Sequence, residues 1–151
     1  MSKDAFTALL APIAEALTSI DINDSATAEA AVEAACPFKG EQVNALRDAA
    51  IAAIDSDWLL PKEAGGIRFG RVARDISGFS VDAVLMSSPG PLHKHPNGEI
   101  DLCFTINDDP RFDGNPEGWV VYEPESQHVP TVSGGQMLIL YFLPGGAIEF
   151  L

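Results

Sequence analysis

Positive charge is scarce in this sequence, which has nine Lys and Arg against 22 Asp and Glu and a formal net charge of −13. So few cations offer little to the phosphates of nucleic acids or to an anionic membrane surface. No apolar stretch approaches the length needed to cross a bilayer, and the first residues lack the pattern of a secretory signal. We therefore expect a cytoplasmic protein that binds neither nucleic acid nor membranes.

Cysteine and histidine are also rare. The two cysteines, Cys36 and Cys103, are too few for a disulfide framework, and we expect both to be buried free thiols in a reducing compartment. The three histidines fall in only two segments: His93 and His95 lie together, and His128 follows a later strand-like run. These two segments are the first candidates for a functional site.

The composition changes near residue 60, because Ala is abundant and Gly nearly absent before it, whereas Gly, Pro, Val and Ile are frequent after it. Apolar residues at helical spacing predict three helices within residues 5–55, with Pro12 either bending the first helix or marking its true start. At 151 residues the chain is expected to be one structural unit, with a helical cap over 1–60 and a β barrel over 61–151.

Strand-like segments separated by Gly-rich turns predict an antiparallel sandwich or barrel. The segments are 67–74, 79–87, 99–106, 119–122 and 137–143, and we expect 107–118 to be a solvated polar loop. In 99–106, alternate residues form a polar face that begins at Glu99 and an apolar face that begins at Ile100. The apolar face needs a cover, which either the N-terminal helices or a second subunit could supply, and we expect a homodimer.

The segment from His93 to Glu99 carries the strongest chemical signal. His93 and His95 share one face of a strand because their spacing is two, and the Pro-Asn-Gly turn that follows would return Glu99 beside them. With His128, they supply three imidazoles and one carboxylate. This set suits one divalent transition metal ion, whether iron, manganese, nickel, cobalt or zinc. Each histidine taken alone is more often an ordinary core or surface residue.

Further residues are candidates for contacts with a substrate. Asp101 shares a strand face with Glu99 and could act with it in proton transfer, although an exposed strand-edge carboxylate is equally typical. Arg68 and Arg71 point to opposite faces of one strand, and one of them could pair with a substrate carboxylate. Trp119 and Tyr141 could form the walls of an aromatic pocket, although most such residues are simply core.

The histidine segments resemble the two motifs of the cupin superfamily. The first motif matches Gly90, His93, His95 and Glu99, with a shorter gap after the glycine. The second matches Gly118, Pro124 and His128, although Glu123 and Glu125 stand near where the turn usually has Pro and Gly. The resemblance implies a mainly β, cupin-type antiparallel jelly-roll barrel that holds one metal ion on His93, His95, Glu99 and His128.

A narrower resemblance covers nearly the whole chain. The segments 95–104, 118–122, 128–132 and 138–146 are similar to the small 4-hydroxylaminobenzoate lyase family. That resemblance implies conversion of 4-hydroxylaminobenzoate, an aromatic carboxylate, to 3,4-dihydroxybenzoate with release of ammonia, in the breakdown of nitroaromatic compounds. The same ligand set would also serve a cupin dioxygenase acting on a small aromatic or diketone substrate. A cupin that binds a small molecule without catalysis is the third alternative.

Overall fold

The computed structural model describes all residues, 1–151, and begins with three helices. They are α1 (Lys3–Leu17), α2 (Ser25–Ala35) and α3 (Glu41–Ala52). The side chains of Ser2 and Asp24 cap the first two helices, because each accepts a hydrogen bond from a backbone N–H of the first turn. The mainly helical character of residues 5–55 is confirmed. Pro12 lies inside α1 and does not mark its start.

Nine strands follow and pair only in antiparallel fashion. They are β1 (Lys62–Ala64), β2 (Ile67–Ile76), β3 (Phe79–Met86), β4 (His93–His95), β5 (Glu99–Phe112), β6 (Gly118–Tyr122), β7 (Ser126–His128), β8 (Val132–Pro144) and β9 (Glu149–Phe150). The large sheet has the order β1-β2-β3-β8-β5-β6, and the small sheet has the order β7-β4-β9. Two antiparallel sheets joined by crossovers of this kind confirm the mainly β, cupin-type jelly roll with an N-terminal helical segment.

The predicted boundaries were wrong at one place that matters for the site. Residues 107–112 belong to β5, which runs to Phe112 instead of ending near residue 106. Two register irregularities between β5 and β8 let the strand bend, and Asp108 adopts a positive φ of 57° there. Polar residues in a bulged strand have the composition of a loop, so the sequence pattern could not separate the two. The short strands β1, β7 and β9 are too brief to show any periodicity.

The outer face of the large sheet packs against the three helices. Ile100, Leu102 and Phe104 of β5 are fully or almost fully buried in one core with residues of α1 and α3 such as Leu10 and Leu46. The helices of the same chain therefore cover the apolar face that was predicted to need a cover. The homodimer expected from that face stays a prediction. None of the helices is both long and apolar enough to cross a membrane.

Helix α2 also lies along the free edge of the large sheet. Glu29 accepts a hydrogen bond from the backbone N–H of Val121 in β6, at 3.0 Å. At the same edge, the indole N–H of Trp119 donates to the carbonyl of Cys36, at 2.8 Å. Both contacts satisfy backbone groups that would otherwise lack a partner at a strand edge or a helix end. Cys36 and Cys103 are both free and buried, as predicted.

Candidate metal centre

A tight turn brings Glu99 back beside the two histidines of β4. The backbone N–H of Gly98 bonds to the carbonyl of His95, at 3.2 Å, and Gly98 has a φ of 85° that side chains rarely adopt. A Cβ at this position would lie 2.9 Å from the backbone oxygen of Tyr122. Glycine is therefore required for β5 to start directly under the imidazoles of β4.

The third histidine reaches the same point from β7. In the small sheet, β7 pairs with β4, and His128 is the direct cross-strand partner of His93. The three imidazole rings have centroids 4.6 to 4.8 Å apart. One donor atom from each of His93, His95, Glu99 and His128 lies within 4.8 Å of all the others. The structure thus brings together all four residues proposed from the sequence as ligands.

The donor atoms face one another at short range. Nε2 of His95 lies 3.0 Å from Oε2 of Glu99, and Nε2 of His93 lies 3.8 Å from Oε1. Nε2 of His128 is 3.7 Å from Oε2 of Glu99 and 3.2 Å from Nε2 of His93. His93, His95 and Glu99 are buried, and His128 is largely so.

In each ring the other nitrogen, Nδ1, donates a hydrogen bond to an oxygen atom. Nδ1 of His93 donates to the carbonyl of Pro91 at 3.2 Å, and Nδ1 of His128 donates to Asp113 at 2.6 Å. Nδ1 of His95 lies 2.9 Å from the Ser126 hydroxyl. That hydroxyl already donates its single hydrogen to the carbonyl of Glu123, at 2.6 Å, so it accepts from His95. In the neutral rings, each Nε2 therefore presents a lone pair to the centre, and metal-ligating histidines are oriented in the same way.

When all three rings are neutral, the cluster of His93, His95, Glu99 and His128 has no positive charge at its centre. Nε2 of His95 and both carboxylate oxygens of Glu99 are buried without a hydrogen-bond partner. Such atoms are costly to leave unpaired, and three lone pairs around a carboxylate repel one another. A divalent cation among them would satisfy all of these atoms at once. The residues present therefore fit a metal ion, and we regard the cluster as a candidate metal site.

The proton equilibria of the metal-free cluster reflect this imbalance. Burial alone would raise the pKa of Glu99, but contacts with His128, His93 and His95 outweigh it and hold that pKa well below its usual range. Burial likewise acts to lower the pKa of His128, but its hydrogen bond to Asp113 and the nearby carboxylate of Glu99 raise it to about 9. A proton on His128 thus supplies the positive charge that the surrounding carboxylates favour.

Asp113 contacts the cluster through His128, and sequence reasoning missed it, since its segment was expected to be a solvated loop. It follows β5 with a positive φ of 49°. One carboxylate oxygen accepts from His128 and from the hydroxyl of Tyr122, and the other accepts from the backbone N–H of Thr131, at 2.9 Å. No sequence signal distinguishes it from its acidic neighbours, because its role depends on contacts across the fold.

Asp101 lies on the inner face of the large sheet with Glu99. It is fully buried, and neither of its carboxylate oxygens has a hydrogen-bond partner. Burial raises the pKa of Asp101 well above its usual range, and the nearby charge of Glu99 raises it further. The cross-strand partners continue from Asp101 to Tyr141, Asp82 and Arg71 on β8, β3 and β2. Directly opposed residues share a face, so these four side chains form one row.

Two of the residues proposed for substrate contacts lie on the other face of the sheet. The guanidinium of Arg68 donates to the carbonyl of Ile54, at 2.7 Å, on the helical side. Trp119 packs in the core that the sheet shares with the helices, and its N–H is used by Cys36. The structure does not bring Arg68 or Trp119 to the histidines, and their contacts with a substrate stay predictions.

A cavity of about 1140 Å³ opens beside the cluster. His93 is the cluster residue that lines it, and Tyr141 and Arg71 lie on its wall. The remaining wall is largely apolar and includes Phe69 and Val84. Pockets that bind small molecules are typically concave and apolar with a few polar groups, and this cavity has both features.

Comparison with known proteins agrees with the geometry. Residues 13–150 match the model of a family described as PnbB, 4-hydroxylaminobenzoate lyase. Two curated relatives carry the name 4-hydroxylaminobenzoate lyase. The one from Nocardioides sp. (strain LMS-CY) is 32% identical over 107 residues, which are 62% of this chain and 63% of the relative. The one from Pseudomonas putida is 30% identical over 83 residues, which are 52% of this chain and 47% of the relative. The chain thus spans less than two thirds of each relative.

Solved structures show weaker similarity. An RmlC-like cupin protein from Ralstonia eutropha JMP134 aligns with a TM-score of 0.46 and 14% identity, over 62% of this chain and 66% of that one. A cupin-like protein from Thermotoga maritima MSB8 aligns with a TM-score of 0.41 and 18% identity, over 58% of this chain and 77% of that one. The fold of this chain is established by its own strand registers.

Replacing Asp113 by Asn is expected to lower the pKa of His128 in metal-free protein, because an amide stabilises an imidazolium less than a carboxylate does. A folded-state pKa of about 9 exceeds the ordinary value of 6.5. Protonation of His128 thus adds stability that is fully present below the ordinary value and is lost as the pH rises through the folded-state value. In the variant this loss should occur at lower pH. NMR titration of the ring and thermal unfolding across pH measure both effects.

Asp109→Asn is the matched control, since this exposed carboxylate lies four residues away and pairs only with Arg111, at 3.6 Å. It should leave the pKa of His128 unchanged. An unaltered His128 titration in Asp113→Asn would contradict the role given to Asp113.

Proposed function

Because this chain belongs to the 4-hydroxylaminobenzoate lyase family, we propose that it is a metal-dependent lyase that converts 4-hydroxylaminobenzoate to 3,4-dihydroxybenzoate and ammonia. The observation that carries the proposal is the buried cluster of three imidazoles and one carboxylate, of which His93 lines the adjacent cavity. The net reaction consumes one water and needs no oxidant. It would serve the breakdown of nitroaromatic compounds in the cytoplasm.

In this proposal His93, His95, Glu99 and His128 hold one divalent transition metal ion. When bound, the ion would supply Lewis-acid polarisation of a substrate oxygen. Three imidazoles and one carboxylate suit iron, manganese, nickel, cobalt and zinc alike. The hydrogen bonds from each Nδ1 keep the rings in the orientation and tautomer that ligation needs, so the site is organised before any ion arrives.

Asp101 is the proposed proton donor and acceptor, with Glu99 as its charged neighbour. A buried carboxyl group that keeps its proton can donate it to the hydroxyl oxygen as the N–O bond breaks, so that this oxygen leaves as water. The carboxylate then accepts a proton from an incoming water, whose oxygen bonds to the ring. Another incoming water replaces the nitrogen, which leaves as ammonia. In each turnover two waters enter and one water and one ammonia leave, so the net reaction consumes one water.

Arg71 and Tyr141 are the two residues predicted from the sequence to contact the substrate that also lie on the wall of the cavity. Tyr141 is the cross-strand partner of Asp101, and both side chains of this pair lie on the face that carries the cluster. Tyr141 presents a flat apolar surface to the cavity, and Arg71 lies further along the same row. A cation is needed somewhere on this wall, because a carboxylate that is buried without a partner is costly.

Loss of one ligand should remove the metal. His95→Ala deletes a fully buried imidazole, and we expect the metal content after dialysis to fall sharply, as measured by mass spectrometry of the purified protein. Lys94→Ala is the matched control, because Lys94 lies between the two histidines but pairs with Glu125, at 2.6 Å. The control should keep the metal. Equal metal content in both variants would remove the basis of the proposed site.

Turnover of 4-hydroxylaminobenzoate tests the reaction itself. The purified protein should release ammonia and 3,4-dihydroxybenzoate in equal amounts, lose activity with a chelator, and regain it with one of the five metals. The rate should be the same without oxygen. A requirement for oxygen would identify a dioxygenase instead. Binding of the substrate without turnover, unaffected by the chelator, would identify a protein that only binds a small molecule.

Asp101→Asn should lower kcat by about 10²- to 10⁴-fold, the usual contribution of a general acid or base, and leave the metal content unchanged. Cys103→Ala is the matched control, because Cys103 is buried two residues further along the same strand face and has no part in the proposed reaction. Steady-state kinetics and metal analysis of both variants provide the comparison. A kcat in Asp101→Asn equal to that of the control would exclude Asp101 as the proton donor.

A further inference from the structure

The cavity beside His93 has the opposite charge balance from the rest of the chain. The sequence has 22 acidic and nine basic residues. The cavity wall has one acidic residue, Asp82, and four of the nine basic ones, which are Lys3, Lys62, Arg71 and Arg74. In a protein that carries a net charge of −13, this is a local concentration of positive charge on a largely apolar surface. Clefts lined by one sign of charge attract ligands of the other sign.

Among the four basic residues of the cavity wall, Arg71 already has an acidic partner. Its Nε lies 2.8 Å from Oδ1 of Asp82, and its terminal nitrogen lies 3.3 Å from Oδ2, so the two side chains form a two-pronged ion pair. Asp82 therefore neutralises Arg71. Lys62 and Arg74 form no ion pair, whereas Arg47, Lys94 and Arg111 elsewhere in the chain each have an acidic partner. The unneutralised charge of the cavity comes from Lys62 and Arg74, with Lys3 of α1 as a further contributor.

An apolar floor lies between these cations and the histidines. Lys62 of β1 is the cross-strand partner of Phe69, and Phe69 is the partner of Val84 in β3. Two strands, β3 and β8, separate β2 from the strand that carries Glu99. At about 4.8 Å per strand, the backbone of β5 lies roughly 14 Å from that of β2, which carries Arg74, and roughly 19 Å from that of β1, which carries Lys62. Long basic side chains reach back over part of that span. The cavity thus offers a polar reactive end, an apolar middle and a cationic end.

We propose that Lys62 and Arg74 form an anion subsite that binds the carboxylate of an aromatic acid while its ring lies over Phe69 and Val84. The proposal deepens the proposed function and rests on it, because it names the residues that select a carboxylate opposite the reactive group. Arg71 holds Asp82 and shapes the wall, but the carboxylate contact belongs to the two free cations. The guanidinium of Arg74 can meet both carboxylate oxygens, and Lys62 adds a second charge.

Binding of an unreactive ligand tests the subsite without catalysis. Benzoate and its neutral counterpart benzamide are titrated by calorimetry into the purified metal-loaded wild type, Lys62→Gln, Arg74→Gln and the double variant. The wild type should bind benzoate more tightly than benzamide. The double variant should lose about tenfold or more in benzoate affinity, as expected for charge-assisted hydrogen bonds, and should keep its affinity for benzamide.

Lys39→Gln and Arg47→Gln are the matched controls, because they remove the same charges from residues that do not line this cavity. They should leave benzoate binding unchanged, and so separate a local contact from a change in net charge. All of the substituted side chains are exposed or partly exposed, and circular dichroism checks that the variants are folded.

Three results would overturn the subsite. They are equal binding of benzoate and benzamide by the wild type, benzoate binding in the double variant equal to that of the controls, and loss of benzoate binding in Arg71→Gln but not in the double variant. The last result would assign the carboxylate to Arg71. Failure of the lyase reaction would look different, since the charge-dependent binding of benzoate would persist while 4-hydroxylaminobenzoate remained unchanged.

Discussion

The antiparallel pairing of β4 with β7 is the constraint on which the site depends. This short ladder sets His93 directly opposite His128, and the turn at Gly98 then fixes Glu99 beneath them. A register shift of one residue would turn the histidines of β4 to the other face and leave His128 as the only imidazole beside the buried Glu99. The ladder has only three residue pairs. Its register therefore needs help from outside, which the hydrogen bonds from each Nδ1 to Pro91, Ser126 and Asp113 supply.

The same strand serves both the site and the core. Residues of β5 alternate between the cluster side, which begins with Glu99 and Asp101, and the helical side, which begins with Ile100 and Leu102. Burial of the apolar side contributes to folding, and the stability gained there offsets the cost of holding two carboxyl groups without hydrogen-bond partners on the opposite side. Packing of the helical cap against β5 therefore contributes to the free energy of folding that keeps Glu99 and Asp101 buried at the candidate metal centre.

The four proposed ligands and the antiparallel fold could be predicted because they rest on local patterns. The spacing of His93, His95 and Glu99 and the alternation in β5 are readable within a few residues. The role of Asp113 was missed because it depends on a bulged extension of β5 that brings this residue to His128. The separation of Arg68 from Arg71 onto two faces could be read from their spacing. Which of them faces the cavity could not, because that depends on the side of the sheet that the helices cover.

The contact of Glu29 with Val121 bears on how copies of the chain could associate. β6 is an edge strand, and free backbone N–H groups at an edge invite another strand to add to the sheet. Here helix α2 already supplies an acceptor for one of these groups, and Trp119 ties the end of that helix to the same edge. Growth of the sheet past β6 would have to displace the helix and break both bonds. The opposite border, β1, is only three residues long and carries Lys62 and Glu63, and short charged edge strands discourage the addition of a further strand. The two borders thus oppose end-to-end joining of sheets by different means.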